Sequence, residues 1–400
     1  MNSHKMKMNY RDAVEDVTSR HSNRKNPAKD STRETLDLLD KPEEDYKVVL
    51  VGGTNGKGSV VEMVSELLRH QGKDVGIYNS PHLTTVRERV RYNGENIEKD
   101  EFLELYNKIE ALETDLSFFE FTTCMAYLYF SEKNADYAIM EVGMGGKLDA
   151  TNAVKPDLPI VTNLGKDHSK YLGETKKQRA KELTGIAEAD KTLILGEMDK
   201  ALIHAAEDRE ANIQGKKALD GNANTKLKYR GQKFQIPVRG SFQKENCGTA
   251  LAAAEKLAEI PENLTEAFQG LKCPGRMEVK GRKPLYIQDG AHNPSAIQKI
   301  IEDLPEDISC VFNASKNKDA EEMISTLEQK TRKFYFTESN VEWATKKAEN
   351  LAELTDTQSE VEKNPSEAVE KARKEASRDG CVLATGSLYM IGALKQDKKQ

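Results

Sequence analysis

The stretch KVVLVGGTNGKGSVVEMVSELLRH, residues 47–70, decides the fold. Residues 48–51 are aliphatic, as in a buried parallel strand, and the residues from Ser59 onward carry apolar side chains at helical spacing. The glycine-rich turn between them brings backbone N–H groups and a helix N-terminus to one point, where they can bind phosphate. The sequence therefore predicts a strand, a phosphate-binding turn and a helix.

Two side chains of this turn suit a triphosphate. Lys57 can reach the outer phosphates, and the Ser59 hydroxyl stands where a phosphate-loop serine binds Mg²⁺. The spacing departs from the generic phosphate loop because Gly58 separates the lysine from the serine. The predicted ATP-binding residues of the turn are Thr54, Asn55, Gly56, Lys57, Gly58 and Ser59.

Short apolar runs alternate with longer amphipathic segments along most of the chain, which predicts an α/β fold. Predicted strands are 47–52, 75–79, 137–143, 158–164, 192–196, 285–288, 309–313, 333–337 and 381–385. Predicted helices are 59–70, 118–132, 174–187 and 250–259, and the polar stretch 203–228 is predicted to form surface loops or hairpins. Proline, glycine and charge concentrate at 272–284, so we place a domain boundary there, between 1–272 and 273–400.

The composition excludes several classes of protein. The chain has 400 residues, 37% hydrophobic and 32% charged, with a formal net charge of −6, which gives no basic surface for nucleic acid. Its five cysteines lie far apart, which argues against disulfides and zinc fingers and for a reducing compartment. Because no stretch approaches the roughly 20 apolar residues of a membrane span, we expect a cytoplasmic protein without nucleic-acid or membrane partners.

Three polar residues follow predicted strands, where the carboxyl ends of a parallel sheet form one edge. Glu141 lies at the end of one strand, His168 follows another, and Ser80 follows a third. Ligands of open α/β sheets bind at this edge, so these residues, with Ser59, are candidate ligands of a metal that accompanies phosphate.

Ordered motifs along the chain resemble the folylpolyglutamate synthase and dihydrofolate synthase family, a branch of the Mur ligases. The turn GTNGKGS is that family's form of the phosphate loop. The other motifs are SPHL at 80–83, RERVRYNGENI at 87–97, FFEFTT at 118–123, EVGMGGKLDATN at 141–152, TNLGKDH at 162–168, GSFQKEN at 240–246, PGRMEV at 274–279, DGAHNP at 289–294 and TGSLY at 385–389.

The resemblance implies a phosphate-loop N-terminal domain with a mostly parallel sheet and a smaller, Rossmann-like C-terminal domain. It also implies roles for individual residues. Those matching catalytic positions are Lys57, Glu141 and His168; those matching metal positions are Ser59, Ser80, Glu141 and His168. Nucleotide contacts outside the loop are implied for Asn246, Arg276, Asp289 and His292, and folate contacts for Phe119, Glu120, Leu148, Asp149 and Ala150.

The implied activity is ATP- and Mg²⁺-dependent addition of L-glutamate to the carboxylate of tetrahydrofolate, through an acyl phosphate, by a monomer. Two alternatives stay open: glutamate addition to dihydropteroate or another carboxylated coenzyme, and a protein that binds ATP or folate without ligation. The chain departs from the family at Leu183, where the resemblance implies a carbamylated lysine that serves a second metal. Three explanations stay open: Glu182, Asp167 or a nearby lysine such as Lys181 replaces it, the second metal is held more weakly, or the activity has diverged.

Overall fold

The structure, a computed structural model, describes residues 8–21, 28–222, 224, 226–339, 341 and 345–396. The chain divides into two compact units. The first comprises residues 1–164, 168–217 and 246–262, and the second comprises 165–167, 218–245 and 263–400. None of the helices in the described ranges is long and apolar enough to cross a bilayer.

The first unit is built on an eight-stranded sheet in the order β4-β3-β2-β5-β1-β6-β7-β8. Its strands are β1 (Lys47–Gly52), β2 (Val75–Tyr78), β3 (Val90–Tyr92), β4 (Glu95–Asn96), β5 (Tyr137–Glu141), β6 (Leu158–Val161), β7 (Thr192–Leu195) and β8 (Asn212–Gly215). The neighbours among β2, β5, β1, β6, β7 and β8 pair parallel. Strand β3 pairs antiparallel with β2, and β4 pairs antiparallel with β3. Because β1 lies between β5 and β6, the carboxyl ends of these three strands meet at one edge.

The unit also contains helices, some of which pack on the sheet and others on neighbouring helices. They are α1 (Tyr10–Ser19), α2 (Ala28–Leu38), α3 (Lys57–His70), α4 (Lys99–Glu110), α5 (Phe118–Glu132), α6 (Ser169–Leu172), α7 (Lys176–Leu183), α8 (Lys200–Glu207) and α9 (Phe242–Leu257), the last belonging to this unit from residue 246. Short 3₁₀ helices span Pro42–Glu44, Val86–Arg89, Ala150–Ala153 and Thr184–Ile186. Helix α5 is buried from Glu120 to Phe130, so it forms the centre of the core.

The second unit contains a three-stranded antiparallel sheet and a six-stranded sheet in the order β12-β13-β17-β14-β15-β16. In the larger sheet β12 pairs antiparallel with β13, and the other neighbours pair parallel. The strands are β9 (Asp220–Asn222), β10 (Lys226–Tyr229), β11 (Gln232–Phe234), β12 (Glu278–Arg282), β13 (Leu285–Gln288), β14 (Ile308–Phe312), β15 (Thr331–Phe336), β16 (Ser359–Val361) and β17 (Cys381–Thr385). The helices are α10 (Leu264–Ala267), α11 (Pro294–Ile301), α12 (Ala320–Glu328), α13 (Ala348–Ala352), α14 (Pro365–Glu375) and α15 (Leu388–Gln396).

The predicted α/β class is confirmed, and all nine predicted strands are present, with ends shifted by a few residues. The prediction of loops or hairpins for 203–228 is wrong in its first part, which lies in α8 and β8. Leu202, Ala205 and Ala206 are buried on one side of α8, and this burial stabilises a helix within an otherwise polar stretch.

The compact units differ from the predicted division after residue 272, since residues 165–167 and 218–245 group with the second unit. The three-stranded sheet β9–β11 packs against α10 and the residues that follow it. The Phe234 and Phe268 rings stack with centroids 6.1 Å apart. The Leu264 N–H donates to Gln232 Oε1 at 2.6 Å. Apolar contacts and a hydrogen bond therefore link the three-stranded sheet β9–β11 to residues after 262.

Replacing Gly76 on β2 tests how tightly α5 packs on the sheet. A Cβ at this position would lie 2.4 Å from the ring of Phe130, which is fully buried. We expect Gly76→Ala to lower the free energy of unfolding by about 1–3 kcal/mol, because a packed ring has to move. Urea denaturation measures the change.

The matched control is Gly215→Ala on β8, where a Cβ would meet Met198 Sδ at 3.2 Å. Met198 is half exposed and flexible, so the control should change stability by less than about 0.5 kcal/mol. Equal losses in both variants would show that the contact with Phe130 is not the cause.

Candidate active site

The phosphate loop connects the end of β1 to the start of α3 and depends on two glycines. Gly53 and Gly56 have φ values of +127° and +83°, a backbone conformation that side chains with a Cβ rarely adopt. A Cβ at Gly53 would also lie 2.0 Å from Thr162 Oγ1. The loop can therefore take this path only with glycine at position 53.

Thr162 and Asn163, directly after β6, hold the loop in place. The Asn55 carbonyl accepts hydrogen bonds from Thr162 Oγ1 at 2.7 Å and from Asn163 Nδ2 at 3.0 Å. In the other direction, the Thr54 N–H donates to the Asn163 carbonyl at 3.2 Å, and the Asn55 N–H donates to Asn163 Oδ1 at 3.0 Å. Sequence reasoning missed these two positioning residues, although a polar pair directly after a buried strand was a visible signal.

Lys57 and Asn246 both lie at the loop. The Lys57 ammonium donates to the Gly53 carbonyl at 2.9 Å and to the Thr54 carbonyl at 3.4 Å. Asn246, at the buried start of the α9 portion in this unit, has its Oδ1 2.5 Å from the position of a Cβ at Gly56. The structure thus brings these two predicted nucleotide ligands to one turn.

The carboxylate of Glu141 lies beside this turn. Glu141 ends β5 and is 5% exposed, and its Oε2 accepts the Ser80 N–H at 3.2 Å. A Cβ at Gly58 would lie 3.5 Å from the same oxygen. Three predicted site positions, Gly58, Ser80 and Glu141, are therefore neighbours.

The Ser59 hydroxyl fits a Mg²⁺ ligand. Ser59 is 1% exposed, and its Oγ has no hydrogen-bond partner in the described part of the chain. A buried hydroxyl without a partner costs free energy, which a bound cation would recover. The described residues contain no cluster of three His, Cys, Asp or Glu side chains. A Mg²⁺ ion that keeps water and phosphate ligands needs no such cluster, so Ser59 with Glu141 suits it.

His168 is the remaining predicted metal ligand, and Leu183 is the position where the chain departs from the family's carbamylated lysine. His168 is partly buried, has φ of +50° and precedes α6; its role as a ligand stays a prediction. Leu183 is 2% exposed and packs in the core. Lys181 is 57% exposed and pairs with Asp208 at 3.7 Å. A leucine in the core cannot hold a metal, so the structure gives this position a packing role.

Some of the predicted folate-binding side chains are exposed to solvent, and others are buried in the protein. Leu148 is 50% exposed, and Phe119 lies against Gly143, where a Cβ would meet its Cζ at 2.5 Å. Ala150 is fully buried, so its contacts with a ligand stay a prediction.

Two carboxylates among the predicted folate positions serve the local backbone. Glu120 accepts the Ser117 N–H at 2.8 Å in a capping box that starts α5. Asp149 accepts the N–H groups of Met144 at 2.9 Å and Thr151 at 3.0 Å, and burial raises its pKa. Their contacts with folate also stay predictions.

In the second unit, Arg276, Asp289 and His292 come together at the end of β13. Asp289 is 2% exposed and accepts the N–H groups of Met277 and Ala291, each at 2.7 Å. Burial raises the pKa of Asp289, and the nearby Arg276 opposes that shift. A Cβ at Gly290 would lie 2.8 Å from Arg276 Nη1, so glycine permits the close approach.

His292 lies in a charged cluster that sequence reasoning did not anticipate. Its Nδ1 is 2.9 Å from the Gly290 carbonyl oxygen, and its Nε2 is 3.7 Å from Asp167 Oδ2. Asp167 in turn pairs with Lys318 at 2.6 Å and accepts from Asn293 Nδ2 at 3.0 Å. Burial, followed by the Lys318 charge, lowers the pKa of His292 to about 4, so the ring is neutral at pH 7.

Removing the Ser59 hydroxyl separates a ligand role from a packing role. We expect Ser59→Ala to leave the free energy of unfolding within about 1 kcal/mol of the parent, because the hydroxyl has no partner to lose. Mg²⁺-dependent ATP affinity should fall about tenfold or more. Calorimetric titration with and without Mg²⁺ measures this.

The control is Ser65→Ala, on the same helix, whose Oγ is equally buried and also has no partner among the described residues. Its effect on stability should match that of Ser59→Ala, and ATP affinity should not change. A loss of Mg²⁺-dependent affinity in both variants would contradict a specific role for Ser59.

The depressed pKa of His292 predicts a loss of stability in acid. Between pH 6.5 and about 4 the unfolded chain binds a proton that the folded ring does not, so stability falls as the pH falls. We expect this residue to account for about 1–3 kcal/mol. Urea denaturation at pH 7 and pH 5 should show a smaller difference for His292→Gln than for the parent.

His204→Gln is the control, because His204 is 78% exposed on α8. It should keep the parent's pH dependence. If His292→Gln and His204→Gln reduce the pH dependence of stability equally, the burial of His292 does not cause that dependence.

Comparison with known proteins identifies two domains. Residues 51–254 match the Mur ligase middle domain, and residues 275–388 match the Mur ligase glutamate ligase domain. A probable bifunctional folylpolyglutamate synthase/dihydropteroate synthase from Haloferax volcanii is 33% identical over 96% of this chain. The chain spans about half of that relative, 50% of its length.

In comparisons with shorter relatives and with solved structures, similar shares of both chains are covered. A dihydrofolate synthase/folylpolyglutamate synthase from Buchnera aphidicola subsp. Acyrthosiphon pisum is 31% identical, with 72% of this chain and 74% of the relative covered. The structure of Escherichia coli FolC in complex with DHPP and ADP has a TM-score of 0.87 at 26% identity and 98% coverage of both chains. A bifunctional folylpolyglutamate synthase/dihydrofolate synthase with Mn, AMPPNP and L-glutamate bound gives 0.87 at 25%, also with 98% coverage of both. This chain belongs to the folylpolyglutamate synthase/dihydrofolate synthase family of Mur ligases.

Proposed function

We propose that the protein is an ATP-dependent ligase that adds L-glutamate to the carboxylate of tetrahydrofolate and so builds a polyglutamate tail. The observation that carries the proposal is the phosphate loop with Lys57 at its centre and the carboxylate of Glu141 beside it, together with a Ser59 hydroxyl that has no hydrogen-bond partner among the described residues. Relatives with this activity in their names, and a structure with a nucleotide analogue and L-glutamate bound, support it.

The reaction needs two displacements. A carboxylate oxygen of the acceptor attacks the γ-phosphorus of ATP, the bond from that phosphorus to the β,γ-bridging oxygen breaks, and ADP leaves. The glutamate nitrogen then attacks the acyl carbon, the carbon–oxygen bond to phosphate breaks, and the amine proton is lost. An amide and inorganic phosphate result, and hydrolysis of one ATP makes amide formation favourable.

The chain's part is to bind and orient anions that repel each other. Backbone N–H groups of the loop, the α3 N-terminus and the Lys57 ammonium oppose the charge on the phosphates. We propose that Ser59 and Glu141 hold Mg²⁺, with Ser80 and His168 as further ligands. When bound, Mg²⁺ neutralises charge on the transferred phosphoryl group. We assign Asn246, Arg276, Asp289 and His292 to the nucleotide, and Phe119, Glu120, Leu148, Asp149 and Ala150 to the folate.

The acceptor has a second candidate. Addition of L-glutamate to dihydropteroate is favoured by the double names of the relatives. The same loop and metal residues would serve it, because the chemistry at the carboxylate is identical. A protein that binds ATP without ligation is the third reading, kept open by Leu183.

We further propose a cytoplasmic monomer that acts on small molecules. The five cysteines, all within the described ranges, are buried and form no disulfide, as suits a reducing compartment.

Mass spectrometry of the products tests the function. The protein is incubated with ATP, Mg²⁺ and L-glutamate, and with either tetrahydrofolate or dihydropteroate. A glutamyl mass increase on tetrahydrofolate alone indicates a polyglutamylating ligase, and an increase on both indicates a bifunctional one. No adduct with either, despite ATP binding, would contradict the ligase.

Lys57→Ala should abolish turnover while the thermal midpoint stays within a few degrees of the parent's, because removing a phosphate-binding charge costs several kcal/mol of transition-state stabilisation. Lys155→Ala, at an exposed loop position, is the control and should keep full activity. A near-normal rate for Lys57→Ala would remove the lysine from the phosphate site.

A further inference from the structure

A cavity of about 510 Å³ opens in the first unit beside the folate-assigned loop 143–152. It is lined by the short helix α6, by α7 and by the end of α8. Six of its residues matter for its chemistry: Lys147, Tyr171, Lys181, Glu182, Asp208 and Arg209. Its volume suits a small organic molecule or a segment of one.

We propose that this cavity binds the poly-γ-glutamate tail of the folate substrate, with Lys147, Lys181 and Arg209 facing its α-carboxylates. The inference rests on the proposed function and adds to it a binding site for the part of the acceptor that grows. Each added glutamyl unit brings one α-carboxylate, so a longer tail gains from a cationic cavity and a monoglutamate gains little.

The position of the cavity suits a tail. Lys147 directly precedes Leu148, a proposed folate contact, and the Lys147 N–H donates to the Glu182 carbonyl at 3.1 Å. Tyr171 and Leu172 lie within one turn of His168, a proposed metal ligand. A Cβ at Gly145 would contact Leu172 Cδ2 at 2.7 Å, so loop and helix form one continuous wall.

The cations differ in how firmly they are held. The Arg209 guanidinium donates from Nε to the Ala187 carbonyl at 3.1 Å and from Nη2 to the Gly185 carbonyl at 3.3 Å. These bonds fix its plane and use two of its five N–H donors. Arg209 is therefore a rigid donor in the wall of the cavity.

The two lysines can move towards a ligand. Lys147 is exposed and has no ion pair among the described residues. Lys181 pairs with Asp208 at 3.7 Å, with both side chains more than half exposed, and such a pair stabilises little in water. A substrate carboxylate can replace Asp208 as the partner of Lys181 at small cost.

The acidic lining residues set the selectivity. Glu182 and Asp208 leave the five charged groups with a net charge of about +1 rather than +3, which weakens binding of small inorganic anions. A chain with carboxylates at regular spacing can contact the cations one by one, whereas a single phosphate cannot. We therefore expect the cavity to prefer a glutamyl chain over inorganic phosphate.

Steady-state kinetics with tetrahydropteroyl monoglutamate and triglutamate test the site. For the double variant Lys147→Gln/Lys181→Gln we expect KM for the triglutamate to rise about tenfold, and KM for the monoglutamate to change less than about twofold. Arg209 is not substituted in this variant, because its side chain also donates hydrogen bonds to two backbone carbonyls. The tenfold difference should shrink in 0.5 M NaCl, which screens exposed charges.

Lys177→Gln is the matched control, since Lys177 is exposed on α7 and does not line the cavity. It should leave both KM values unchanged. Equal increases for the two substrates in the double variant, or no increase, would overturn the tail site.

Binding without turnover separates this inference from the proposed function. If the parent adds glutamate to no pterin, the function fails, and calorimetry with the two folates still tests the cavity. Tighter binding of the triglutamate that is lost in the double variant supports the site. Equal affinity for both folates, or competition by inorganic phosphate at the concentration of the triglutamate, would contradict it.

Discussion

A phosphate loop has to keep its own N–H groups available, and this constraint governs the first unit. A loop that spends its N–H groups on helix or sheet bonds has none left for an anion. Here the Asn55 carbonyl accepts from Thr162 and Asn163. The N–H groups of Thr54 and Asn55 donate to Asn163, so two N–H groups of the loop are used in anchoring it and an anion has to rely on the others. Gly53 lets the backbone pass close enough for these bonds to form, so the side chains after β6 determine the shape of the loop after β1.

The order of strands makes that anchoring possible. Because β1 lies between β5 and β6, one neighbour supplies Glu141 and the other supplies Thr162 at the same edge. Glycines then allow close approach where side chains crowd: Gly58 admits the Glu141 carboxylate beside α3, and Gly143 admits the Phe119 ring. Several residues assigned above to phosphate, metal and folate therefore lie near one sheet edge, which is where open parallel sheets generally bind ligands.

Sequence reasoning succeeded where burial dominates and failed where partners are distant in the chain. Buried parallel strands are continuous apolar runs, so their positions could be predicted to within a few residues. Edge strands such as β8 and β16 are short and polar and were not predicted. The pairing of Asp167 with Lys318, 151 residues away, has no local signal. The capping role of Glu120 did have one, because Ser117 precedes it by three residues.

The position of Leu183 limits which groups can oppose the charge of the phosphates. Leucine cannot react with carbon dioxide, and at 2% exposure it packs in the core instead of facing a ligand. Of the residues considered as substitutes, Asp167 pairs with Lys318 at 2.6 Å, and Lys181, in a weak exposed pair with Asp208, is proposed above to bind a tail carboxylate. A carboxylate at Glu182 would bring the wrong charge unless it held a cation. In the proposed site the opposing charge comes from the loop amides, from Lys57 and from a cation at Ser59 and Glu141.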